Sequence, residues 1–193
     1  SKAFVLPIPG SNLPSVIGWR TIDDTNKMIE IAQTKKRAVV IGGGLLGLEC
    51  ARGLLDQGME VTVLHLADWL MEMQLDRKAG EMLKADLEKQ GMKIELQANS
   101  KEIIGDKDVE AIKLADGRVI ETDLVVMAVG IRPYTEVAKD SGLDVNRGIV
   151  VNDYMQTSDS HIYAVGECAE HDGKVYGLVA PLYEQGKVLA DYL

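Results

Sequence analysis

The sequence predicts an α/β protein: a Rossmann-like, doubly wound parallel sheet that carries an antiparallel β meander and is followed by a shorter returning segment. Three observations carry that prediction. Residues 38–41 are a continuous apolar run, as expected of a strand buried on both faces of a parallel sheet, with further strands at 60–66 and 124–129. Helical patterns alternate with these runs through short connections. A glycine-rich turn, Gly42-Gly43-Gly44-Leu45-Leu46-Gly47, joins the first run to the helix after it.

Each element has a local reason. Pro7, Pro9, Gly10 and Pro14 break any helix, so residues 1–20 are expected to be extended with turns. Asp23 or Asp24 can cap a helix through Met28, Ile29 and Ala32, which ends at the cations Lys35, Lys36 and Arg37. A strand at 38–41 and a helix at 45–57 follow, the helix closed by Gly58. Next come a strand at 60–66, a helix at 76–90 with Ala79, Met82, Leu83 and Leu87 on one face, and a strand at 92–96. Residues 101–104, 109–114 and 118–120 read as antiparallel strands, the last two joined around Asp116-Gly117. Residues 124–129 return to a buried strand, and residues 162–165 read as a short buried strand before Gly166-Glu167.

Composition excludes several functions. With 30 acidic and 21 basic residues the net charge is −9, and no stripe of Lys or Arg could follow a phosphate backbone, so nucleic acid is not an expected partner. No run of about 18 apolar residues occurs and the amino terminus has no signal-peptide core, so the expectation is a cytoplasmic protein without a membrane partner. Cys50 and Cys168 are far apart and form no CxxC, which argues against a disulfide framework or a zinc site. They are also too few for an iron–sulfur cluster, which takes about four thiolates. His65, His161 and His171 are scattered, and no metal site is expected.

The glycine turn is the strongest chemical signal. Gly42 permits the tight turn, Gly44 lets backbone amides approach a pyrophosphate, and Gly47 lets the helix pack close to the strand. The phosphates of a nicotinamide dinucleotide would then meet the unpaired N–H groups and the dipole of the helix amino end. An acid about 20 residues further on normally takes the ribose 2′-OH. Here that position is His65, which can hydrogen-bond a hydroxyl or, when protonated, face a 2′-phosphate; NADH is favoured, with NADPH open.

Three stretches, "VVIGGGLLGLECARGL", "VVMAVGIRPYTEVAKDSGL" and "TSDSHIYAVGECAEHDGKVYGLVAPLYEQGKVLA", resemble the flavin and NAD(P)H module of the pyridine nucleotide-disulfide oxidoreductase superfamily. Within it, "VLHLADWLMEMQLD", "NDYMQTSD" and "VGECAEH" are similar to the large subunit of bacterial NAD(P)H-dependent assimilatory nitrite reductases. The resemblance implies three parts: residues 1–22 as the tail of a first FAD-domain half, residues 23–130 as the NAD(P)H domain with its leading helix, and residues 131–193 as the returning FAD segment. It also implies an FAD fingerprint before Ser1, so that this chain by itself holds NAD(P)H but retains FAD weakly or not at all. Gly166 and Glu167 would meet the flavin's ribityl or pyrophosphate region, with Glu where the family has Asp, and a last helix, expected around 182–189, would aim its amino end at the flavin ring. Glu49 would lie near the nicotinamide, and Gly130 would belong to a loop closing on the nucleotide, shaped by Arg132 and Pro133.

The activity so implied is hydride transfer from NAD(P)H to FAD, with electrons passed to a sirohaem and 4Fe–4S centre elsewhere in a longer parent, where nitrite becomes ammonia. This chain alone would not reduce nitrite. The remainder of the parent and a small subunit are the implied partners, and a homodimer stays open. Two other readings stand beside it: a module of an NADH-dependent ferredoxin, rubredoxin, disulfide or peroxide reductase, and a non-catalytic NADH sensor.

Overall fold

The computed structural model describes residues 1–193. The chain divides into two compact units, Ala3–Gly130, and Ile131–Leu193 together with Ser1–Lys2. After the two-residue strand β1 (Lys2–Ala3), the larger unit runs β2 (Val16–Gly18), α1 (Ile22–Ala32), β3 (Arg37–Ile41), α2 (Leu45–Asp56), β4 (Glu60–Leu64), α3 (Arg77–Lys89), β5 (Lys93–Glu95), β6 (Ser100–Ile104), β7 (Ala111–Leu114), β8 (Val119–Glu121) and β9 (Leu124–Met127).

Five of these strands form a parallel sheet in the order β2-β9-β3-β4-β5. The alternation of side chains across a strand divides its residues between two cores. Ala38, Val40, Val61, Val63, Leu124 and Val126 face one core, with Met28 of α1 and Cys50, Ala51 and Leu54 of α2. Val39, Ile41, Leu64, Val125 and Met127 face the other, with Ile103, Ile112 and Leu114 of the antiparallel β6-β7-β8 meander. Apolar cover on both faces is why β3 and β9, at the centre of the sheet, read as continuous apolar runs. The second face is covered by the meander and not by further helices, because the chain after β5 alternates at period two and turns at Asp116-Gly117, where Gly117 takes φ 95°.

Two differences concern the leading residues. The short run 16–18 is a strand of the main sheet, paired in parallel with β9. The segment before it lies along the meander, where the Ile103 N–H donates to the Pro9 carbonyl at 2.8 Å. Residues 3–22 therefore pack in the same unit as the glycine turn. The cap of α1 is Thr21, whose hydroxyl accepts from the Asp24 N–H while the Asp24 carboxylate accepts from the Thr21 N–H, a reciprocal capping box.

The smaller unit runs β10 (Ile131–Arg132), α4 (Glu136–Asp140), β11 (Ile149–Val151), β12 (Ala169–His171), β13 (Lys174–Val175) and α5 (Val179–Tyr192). Strands β11, β12 and β13 form one sheet over a small core of Val151, Met155, Ala164 and Ala169. Strand β12 turns into β13 at Asp172-Gly173, both at positive φ, 48° and 70°. The expected buried strand at 162–165 is corrected to an extended segment with a single bridge, Gln156 to Tyr163. Only Ala164 of the four is buried, because its N–H donates to the Met155 carbonyl while Ile162 and Val165 stay exposed. The last helix starts before the expected 182 and includes Pro181, which is tolerated in a first turn where its N–H would be unpaired in any case.

Candidate dinucleotide-binding site

The glycine turn lies where β3 ends, beside the end of β9. From β3 the chain moves one way to β4, while β9 lies on the other side, so the turn occupies the switch point of the sheet, the usual ligand crevice of such folds. The turn is specified atom by atom. Gly42 takes φ 118°, and a Cβ there would sit 2.4 Å from the Ala128 carbonyl oxygen. At Gly47 a Cβ would be 1.9 Å from the Gly42 carbonyl oxygen, so any side chain would push α2 off β3. Gly44 differs: nothing lies within 4 Å of its missing Cβ, and it is the N-cap of α2 without any side-chain cap.

The first N–H groups of α2, on Leu45, Leu46 and Gly47, have no intrahelical acceptor. They stand at an open approach flanked by the half-exposed apolar side chains of Leu45 and Leu46. Unpaired donors, a positive helix end and no obstructing side chain fit the pyrophosphate of a dinucleotide.

His65, read from the sequence as the ribose contact, is engaged within the chain. Its ring is buried at 7% exposure, and both nitrogens are taken within the chain. Nδ1 accepts from the Gly43 N–H at 3.0 Å and Nε2 pairs with the Glu72 carboxylate at 2.9 Å. Since Nδ1 accepts, the ring proton sits on Nε2 and is donated to Glu72. His65 and Leu70 fill the space beneath Gly43, where a Cβ would come within 2.7 Å and 2.6 Å of them. The loop that brings Glu72 back is tied to the glycine turn by the Met71 N–H, which donates to the Gly43 carbonyl at 3.0 Å.

Glu49 is exposed on α2, one turn beyond the glycine turn, and lines a shallow groove of about 160 Å³ with Trp19, Met28 and Cys50. Cys50 is buried beside Met28, and burial pushes its thiol up to about 12, which leaves it an inert packing group. Gly130 takes φ 101° in the exposed turn just after β9, and its carbonyl accepts from the Phe4 N–H. These features surround the carboxyl end of the sheet, whereas the Asp108 cluster is structural. Asp108 accepts from the Ser15 N–H and hydroxyl at 3.0 Å and pairs with Lys35, fastening the leading segment to the meander. Burial would raise its pKa, but hydrogen bonds from Lys35, Ser15 and Val109 prevail and hold it at about 2.

In the smaller unit, Arg132, Pro133 and Glu167 come together with Asn146, Arg147 and Tyr176 around a cleft of about 280 Å³. Gly166 takes φ 95°, and its N–H donates to Gln185 Oε1 of α5 at 2.7 Å, so a buried glutamine sets the turn that presents Glu167. Glu170, also buried, accepts from the Gly148 N–H at 2.8 Å. Sequence reading passed over Glu72, Gln185 and Glu170; no motif marks them, and a polar residue on an otherwise apolar face was the only available signal for Gln185.

No helix is long and apolar enough to cross a membrane. The sequence profile described as pyridine nucleotide-disulphide oxidoreductase matches residues 1–186. The chain is 60% identical over its whole length to the NAD(P)H nitrite reductase of Bacillus subtilis, of which it covers 24%. It is 42% identical, again over the whole chain, to the NADH nitrite reductase large subunit of Escherichia coli, of which it covers 23%. Among solved structures, the ferredoxin reductase of the CYP199A2 system from Rhodopseudomonas palustris superposes with a TM-score of 0.92 at 31% identity, over 99% of this chain and 49% of that one. The chain thus spans about a quarter of the length of these curated relatives.

Proposed function

Because the chain belongs to the pyridine nucleotide-disulphide oxidoreductase family, we propose that it is the NAD(P)H-binding part of an FAD-dependent oxidoreductase that feeds electrons to nitrite reduction. The observation that carries this reading is the glycine turn, with Gly42 and Gly47 allowing no side chain and Gly44 leaving the first amides of α2 open. When bound, the nicotinamide supplies a hydride and the flavin converts it to single electrons. The chain's own residues bind and orient: the amides of residues 45–47 hold the pyrophosphate, the Gly130 turn borders the nucleotide, and Glu49 offers a carboxylate toward the nicotinamide.

Gly166, Glu167 and the Arg132 cleft are this chain's contribution to the flavin, with α5 presenting its uncapped amino end nearby in the same unit. The names of the nitrite reductases support nitrite as the final electron acceptor in a longer parent, and the words "large subunit" support a small subunit as a further partner; the sirohaem and 4Fe–4S centre that would carry the reduction follows from the family resemblance alone. The likeness to a ferredoxin reductase supports a second reading, in which the same module serves a small iron–sulfur protein.

The test is to incubate the purified chain with FAD, desalt it, record the visible spectrum, and titrate the product with NADH. NADH binding with little retained flavin is expected. Stoichiometric flavin would contradict the division of the flavin site proposed here, and absence of NADH binding would overturn the reading as a whole.

A further inference from the structure

The position that usually recognises the adenosine ribose is filled here by a buried histidine with no free nitrogen. An acceptor for a ribose hydroxyl must then come from elsewhere, and the fold supplies one. Glu72 lies across the His65 ring from Gly43, with Oε2 at 2.9 Å from Nε2 and the side chain still 36% exposed. We propose that Glu72 is the residue that selects NADH over NADPH: the His65 ring acts as a spacer that holds its carboxylate at the end of β4, where it accepts from the ribose 2′-OH and repels a 2′-phosphate.

Three further observations converge on the same residue. Met71, immediately before Glu72, is held at φ 58°, a left-handed conformation that side chains other than glycine adopt at some cost. That conformation lets its N–H reach the Gly43 carbonyl while its own carbonyl accepts from the Gln74 and Leu75 N–H groups. The turn after β4 is therefore locked to the glycine turn, and Glu72 inherits a fixed position.

The second observation is the fate of Arg77, the first guanidinium after Glu72 in the sequence. Arg77 pairs with Asp68 at 2.6 Å and stacks over the Trp69 ring at 4.7 Å, so the cation best suited to a 2′-phosphate is already neutralised. The third is that Glu72 Oε1 has no partner in the chain, which leaves one carboxylate oxygen for a ligand.

This inference rests on the dinucleotide reading given above, and the experiment separates the two. The full chain and its Glu72→Gln and Glu72→Ala variants are titrated with NADH and with NADPH, following quenching of protein fluorescence, with melting temperatures recorded alongside. Glutamine keeps an acceptor for the His65 Nε2–H and so preserves the turn, while removing the charge. The expected result is that the native chain binds NADH at least tenfold more tightly than NADPH. In Glu72→Gln that ratio falls about tenfold, chiefly through tighter NADPH binding, and Glu72→Ala in addition loses NADH affinity several-fold. An unchanged ratio in a folded Glu72→Gln chain, with both nucleotides still binding, overturns the role of Glu72 and leaves the nucleotide site standing. Failure of the native chain to bind either nucleotide overturns both.

Discussion

At Gly47 the space for one methyl group is already occupied by the Gly42 carbonyl oxygen, 1.9 Å from where a Cβ would stand. Gly47→Ala is therefore predicted to lower stability by about 1–3 kcal/mol, read from chemical unfolding, and to abolish NADH binding because α2 cannot reach β3. Asp108 makes a separate prediction. Its folded pKa of about 2 lies below its ordinary 3.8, so the stabilisation it gives is fully present above the higher value and is lost as pH falls through the lower. Its side chain is 36% exposed, and solvent screening brings the expected worth to about 1 kcal/mol. Asp108→Asn should melt several degrees lower than the native chain near neutrality, with the difference shrinking between pH 4 and pH 2. A difference that stayed constant across that range would remove the carboxylate's charge from the account. The steric demands at Gly42 and Gly47 were legible in their spacing, because a strand followed closely by a helix leaves no room for a side chain at either position. The role of His65 was not, because its partners depend on a turn through Met71 at positive φ that no pattern announces.

Among the elements, the central strands β3 and β9 were legible because burial on both faces leaves continuous apolar runs, and the meander because Asp116-Gly117 marks a turn between two short extended runs. The short strand β2 was not legible. It is three residues long and bracketed by proline and glycine, and it exists because β9 offers it a free edge. The hairpin at Asp172-Gly173 could have been found, since Asp-Gly between short extended runs is a strong signal for that turn. The run at 162–165 has a strand's composition but only one bridge in this chain, so composition alone misassigned it. Helix α1 carries the clearest element-scale prediction. Thr21→Ala removes half of its capping box and should cost about 1 kcal/mol of stability in urea unfolding.

For the molecule as a whole, the family likeness and the three-layer unit agree on a nucleotide module, and the central claim is that its ligand sits on the open amides after Gly44. Gly44 offers a discriminating substitution because its φ of −87° and empty surroundings accept a side chain, and aspartate is among the best N-cap residues. The most direct measurement is a titration of the native chain and the Gly44→Asp variant with NADH, with the melting temperature of each. The account predicts that Gly44→Asp melts at the same temperature or higher, because its carboxylate caps α2, yet binds NADH at least tenfold more weakly, because that carboxylate occupies the place of the phosphates. Equal NADH affinity in the two folded chains would contradict it.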